Sequence, residues 1–143
     1  MDCLFCKIIA GEIPCAKVSE DEKTFAFRDI NPQAPTHVLI LPKKHMKNVL
    51  ECDGETAAAL VNAVKKVAKI EKVDADGFRI ISNCGENGAQ SVPHLHVHLL
   101  GGKKLSDHMD YCPARVFRRD PENQKRTKCE ICKTTWISLD EIP

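Results

Sequence analysis

Three histidines recur at strict two-residue spacing in His94-Leu95-His96-Val97-His98-Leu99-Leu100, with an aliphatic residue in every gap. Side chains alternate across a β-strand and successive residues rise about 3.3 Å, so the spacing predicts three imidazoles on one face, roughly 6–7 Å apart. The opposite face is apolar and predicts packing on a core. One strand then presents a row of groups able to serve as nucleophile, proton carrier or metal ligand.

The chain has 143 residues, 43% of them hydrophobic, which suits one domain with a real core, or one domain with a small appendage. A net charge of +1 makes no global case for nucleic acid or an acidic partner. No apolar run approaches the roughly 20 residues of a membrane span, and charges among residues 1–15 argue against a signal peptide. A cytoplasmic protein is expected, with a nuclear location as the alternative. Of the eight cysteines, the pairs Cys3-x-x-Cys6 and Cys129-x-x-Cys132 suit metal or redox chemistry better than a disulfide framework, so the thiols are read as reduced.

Asp2 is placed to cap a first helix over Cys3–Ala10, with Gly11 as its stop. Ala16–Val18, Thr24–Arg28, His37–Leu41, Phe78–Ser82 and His94–Leu100 read as strands. Lys44–Leu50 reads as a short helix. Asp53-Gly54-Glu55 opens the longest helix, which runs to about Val73 with Ala57, Leu60, Val61, Val64, Val67, Ala68 and Glu71 on one face. The fold class is α+β, with about five antiparallel strands. Composition turns polar after Lys103, and a boundary near Leu105 separates residues 1–105 from an extension over 106–143. Six basic residues stand against two acidic ones between Arg115 and Lys128.

The row admits three readings: histidines without a role, a zinc chelate, or a central nucleophile whose neighbours position a phosphate and a leaving group. Three in-register imidazoles without use would cost too much desolvation. Just upstream stand Asn83, Gly85, Gly88, Gln90 and Ser91, donors of the kind a phosphate needs, and glycines let backbone N–H groups approach an anion. The third reading is favoured.

Gln90-Ser91-Val92-Pro93-His94-Leu95-His96-Val97-His98-Leu99-Leu100-Gly101-Gly102 resembles the histidine-triad superfamily, and within it the Hint branch of purine nucleoside phosphoramidases. The likeness extends back through Asn31-Pro32-Gln33-Ala34-Pro35-Thr36-His37, Leu41-Pro42-Lys43-Lys44-His45 and Lys7-Ile8-Ile9-Ala10-Gly11-Glu12-Ile13-Pro14. The resemblance implies that His96 attacks the α-phosphorus of a nucleotide conjugate and carries the nucleotidyl group until water removes it. It implies that His98 meets the phosphate and departing group, that Ser91 and Asn83 hold phosphate oxygens or the leaving group, and that Gln90 belongs to the nucleotide site. His37 would sit beside His96 and orient it. Asp29 would take the ribose hydroxyls, and Phe5, Ile8, Ile13, Phe27, Ile30 and Leu39 would form the purine cleft; ordinary core is the plain alternative for these apolar residues. A homodimer and a purine nucleotide partner follow from the same resemblance.

Some members of that superfamily bind structural zinc, and the matching positions are Cys3, Cys6, His45 and His94. In the tail, His108, Cys112, Cys129 and Cys132 offer a second zinc site of one histidine and three cysteines, a departure from the Hint pattern. The activity so implied is hydrolysis of nucleoside 5′-phosphoramidates. The alternatives are a dinucleoside polyphosphate hydrolase, an aprataxin-like DNA deadenylase using the basic tail, and a non-catalytic nucleotide-binding scaffold; the overall charge argues against nucleic acid.

Overall fold

Thr36–Pro42 is buried along its whole length, because both faces of this strand are covered. It is the centre of a five-stranded antiparallel sheet in a computed structural model that describes residues 2–105. The strands are β1 (Lys17–Glu20), β2 (Thr24–Arg28), β3 (Thr36–Pro42), β4 (Phe78–Ile81) and β5 (Val97–Gly101), in the spatial order β1-β2-β3-β5-β4. Two helices accompany them, α1 (Leu4–Ile9) and α2 (Gly54–Ile70). No helix among the described residues is long and apolar enough to cross a membrane.

The period of two in β2 and β3 sorts the core into two layers. Ala26, Val38, Ile40 and Leu99 face α2 and meet its Leu60, Ala63, Val64, Val67 and Ala68. Phe25, Phe27, Leu39 and Leu41 face the other way and meet Phe5 and Ile8 of α1. The register Leu39↔His98 places His98 on this second side.

Asp53 caps α2 as the sequence indicates, its Oδ1 accepting from Thr56 N at 2.7 Å. The helix ends three residues before Val73 because Lys72 turns into the left-handed region at φ 59°. Its buried face includes Ala63, whereas Val61 is 51% exposed; the apolar stripe is thus rotated from the one expected. Lys44–Leu50 forms no α-helix, only a 3-10 turn over Val49–Glu51. α1 is capped by Cys3, not Asp2: the Cys3 Sγ accepts from Cys6 N at 3.4 Å. The strand bearing the histidines begins at Val97, so His94 and His96 precede it. Pro93 lacks the amide a ladder requires, His94 N instead donates to Val92 O, and Leu95 N donates to Met46 O at 2.7 Å. Alternation nonetheless survives: Leu95 is buried in the α2-side core, while His94 and His96 contact Phe5 on the other side. The extension 106–143, with His108, Cys112, Cys129 and Cys132, lies outside the described residues.

Candidate active site and metal centre

Each histidine of the row is held through one nitrogen by a backbone carbonyl or another ring, and this decides which nitrogen is left. His96 Nδ1 lies 2.7 Å from the carbonyl of His94. A carbonyl only accepts, so Nδ1 carries the proton and Nε2 keeps its lone pair. The His96 carbonyl is itself pinned by Ser82 Oγ at 2.9 Å. Phe5 stacks edge-on against the ring at 5.0 Å and 88°. His96 is only 4% exposed, and no hydrogen bond among the described residues engages its Nε2.

His98 is fixed differently. His37 Nδ1 accepts from the backbone N–H of Gln33 at 3.0 Å, so its proton sits on Nε2 and is donated to His98 Nδ1 at 2.9 Å. His98 therefore keeps its own proton on Nε2. From sequence His37 is expected beside His96; the structure pairs it with His98, because the antiparallel register sets His37 diagonally across from that residue. Desolvation, then the neighbouring imidazoles of His96 and His37, push His98 down to about 4, with Asp29 opposing. Desolvation also lowers His37, again opposed by Asp29. The His96 and His98 rings stand 5.0 Å apart, closer than an ideal strand spacing gives.

The upstream loop is built otherwise than the glycine pattern suggests. Gly85 N–H is not open to an anion, since it donates to Gln90 Oε1 at 3.1 Å. The Gln90 amide donates in turn to the carbonyls of Lys47 and Val92 at 2.7 and 3.0 Å, so Gln90 shapes the loop and has no N–H to spare for a phosphate. Gly88 is required by packing: a Cβ there would lie 2.6 Å from Cys84 O. Ser91 is exposed and Asn83 half-buried, and among the described residues no hydrogen bond engages either side chain. Phe5, Ile8, Phe27 and Leu39 are buried in one cluster against which Ile13 packs. Ile30 stands apart from them, 91% exposed. Asp29 accepts from Asn31 N at 2.8 Å through Oδ1, with Oδ2 3.4 Å from His37 Nε2.

The first histidine of the row belongs to a separate cluster. Ligand atoms of Cys3, Cys6, His45 and His94 all lie within 4.8 Å of one another. Cys3 Sγ and Cys6 Sγ are 3.4 and 3.5 Å from His94 Nδ1, Cys6 Sγ is 3.4 Å from His45 Nδ1, and the two imidazole nitrogens are 3.2 Å apart. Zinc binds sulfur at about 2.3 Å and imidazole at about 2.0–2.1 Å, which in a tetrahedron separates the ligands by about 3.3–3.8 Å. His94 Nε2 donates to the Pro42 carbonyl at 2.9 Å, leaving Nδ1 as the lone pair aimed at the sulfurs, the arrangement by which an outer hydrogen bond orients a metal-binding histidine. Burial keeps that ring neutral by lowering its pKa. The donor set, spacing and tautomer fit zinc.

Sequence reasoning could not supply Gln33, Pro42, Met46 and Ser82. The first three act through backbone groups that any residue carries, and a lone serine in Ile80-Ile81-Ser82-Asn83 bears no signal. Cys15 and Cys52, like Cys84, are free thiols outside the cluster, and burial pushes the first two up.

An open antiparallel sheet that carries a histidine pair on the face opposite its main helix defines the class. The model of the HIT domain matches residues 10–105, and the chain belongs to that family. A 14 kDa zinc-binding protein of Zea mays is 49% identical over 108 residues, spanning 72% of this chain and 84% of that one. The purine nucleoside phosphoramidase of Escherichia coli strain K12 is 44% identical over 105 residues, spanning 71% and 88%. Among solved structures, a histidine triad nucleotide-binding protein from Candida albicans superposes with a TM-score of 0.66 at 35% identity, covering 76% of this chain and 87% of that one.

Proposed function

We propose that the protein is a nucleotide-binding hydrolase that cleaves nucleoside 5′-phosphoramidates through a nucleotidyl-histidine intermediate on His96. The observation that carries this is the His96 Nδ1 to His94 carbonyl contact at 2.7 Å, which leaves an unprotonated Nε2 as the nucleophile. The Escherichia coli relative is named for this activity. In the first half-reaction Nε2 attacks phosphorus, and the phosphorus–nitrogen bond breaks with its electron pair going to nitrogen, which takes up a proton and leaves as the amine. In the second half, water attacks the same phosphorus, the phosphorus–Nε2 bond breaks with its electron pair returning to Nε2, and the nucleoside monophosphate leaves as the water gives up a proton. The His98 N–H is directed at the phosphate and departing nitrogen, where a fixed donor stabilises developing charge. Ser91 and Asn83 offer further phosphate donors. Asp29 serves the ribose hydroxyls as an acceptor, and Phe5, Ile8, Ile13, Phe27 and Leu39 line the base side, with Ile30 at its exposed lip.

Cys3, Cys6, His45 and His94 would hold zinc, which supplies a structural crosslink. His108, Cys112, Cys129 and Cys132 are a second candidate set on sequence grounds. The free edge of β4, with Ile80 49% exposed, is the surface on which a second copy would extend the sheet.

Purified protein incubated with adenosine 5′-phosphoramidate releases amine and AMP. His96→Ala lowers that rate by on the order of 10⁴-fold or more, as loss of a nucleophile does elsewhere. Equal rates would remove His96 from the role.

A further inference from the structure

We propose that Asp29 is a positioning residue for the histidine pair as well as a ribose acceptor: its carboxylate steadies the His37 ring that presents His98, so sugar recognition and phosphate chemistry share one carboxylate. The substrate side of this inference rests on the phosphoramidase reading.

The geometry begins with the loop that follows β2. Asp29 N–H donates to the carbonyl of His37 at 3.0 Å, Oδ1 accepts from Asn31 N at 2.8 Å, and Oδ2 remains 3.4 Å from His37 Nε2. The Gln33 N–H occupies His37 Nδ1. His37 thus has one ring proton, on Nε2, and two acceptors within reach of it: His98 Nδ1 at 2.9 Å and the Asp29 oxygen. Asp29, His37 and His98 could be taken for a cation site, since their ligand atoms lie within 4.8 Å of one another. With Nδ1 accepting and Nε2 protonated, however, His37 has no lone pair for a metal.

The other groups around the pair are His96 just before β5, Leu39 and Leu100 on the sheet, and Ile81 on β4; Arg79 shares that sheet face by its register with Leu100. Asp29 is the anion that favours protons on both rings, against burial and the neighbouring imidazoles. Ribose hydroxyls that donate to Oδ2 fix the carboxylate beside the His37 ring, so that ring and the His98 Nε2–H it presents are held more firmly when the sugar site is filled. Without the carboxylate the ring is held less firmly.

Asp29→Asn preserves shape and an acceptor for Asn31 N–H. In imidazole ¹H–¹⁵N spectra of the full chain with its metal bound, the His37 and His98 titration midpoints fall in the variant. With 2′,3′-dideoxyadenosine 5′-phosphoramidate, where no diol exists to bind, Asp29→Asn still lowers kcat, by about tenfold, as loss of an outer-shell partner does. In the unaltered protein, AMP moves the His37 Nε2–H resonance and 2′,3′-dideoxy-AMP does not. A residue that only grips sugar would leave the imidazole spectra unmoved and the dideoxy rates equal, and either result overturns the proposal. Should no phosphoramidate turn over at all, the phosphoramidase reading fails, while the imidazole spectra still decide the role of Asp29.

Discussion

His98 stays neutral in the folded protein until about pH 4, whereas an unfolded histidine takes up its proton near pH 6.5. Between those values the unfolded chain binds more protons, so stability falls as pH drops from about 6.5 toward 4. His37, lowered in the same direction by desolvation, adds to the slope. Thermal denaturation across this window therefore shows a declining Tm for the native protein and a shallower decline for His98→Gln; parallel curves would contradict the assignment. The same residues show what a sequence can convey at this scale. Spacing alone is enough to mark 94, 96 and 98 as a functional set. It cannot say which nitrogen each ring keeps, because that is decided by the carbonyls of His94 and Pro42 and the amide of Gln33, contacts made by atoms common to every residue.

At the scale of elements, β2, β3 and α2 were legible from local signals: the strand-forming Thr-Phe-Ala-Phe run that follows a charged turn, a continuous apolar run in Val38–Leu41, and an Asp53 cap ahead of a helical stripe. The misread elements lie where a local group answers to a distant one. Cys3 replaces Asp2 as the cap of α1 because its sulfur is drawn to the cluster with His94. β5 begins late because Pro93 bends the chain to bring the His94 ring to Cys3 and Cys6. At six residues, α1 is too short to persist alone, and the cluster ties it to His94, two residues before the proposed nucleophile, while Phe5 packs on His96. Removing the metal with a strong chelator, or making Cys3→Ser, therefore lowers Tm and raises KM for the nucleotide substrate. A loss of about 1 kcal/mol already moves Tm by roughly 4–8 °C in a domain of this size. Metal-free protein with unchanged Tm and KM would separate the cluster from the cleft.

At the scale of the molecule, the described residues form one sheet whose two faces divide the work: one side is filled by α2, and the other carries α1, the histidine pair and the cluster of Cys3, Cys6, His45 and His94. Among the described residues the outer strand β4 leaves its hydrogen-bonding edge unpaired, and such edges recruit another strand. Light scattering should give a homodimer, and Ile80→Lys should shift it to monomer; a monomeric native protein would refute that surface. The proposed chemistry converges on one atom, His96 Nε2. Intact-protein and peptide mass spectrometry of a reaction with adenosine 5′-phosphoramidate, quenched in alkali within the first turnovers, tests it most directly. The account predicts an adenylyl adduct on the peptide bearing His96, gained and lost at the rate of turnover. Turnover with no adduct, or an adduct on His98 instead, would contradict it.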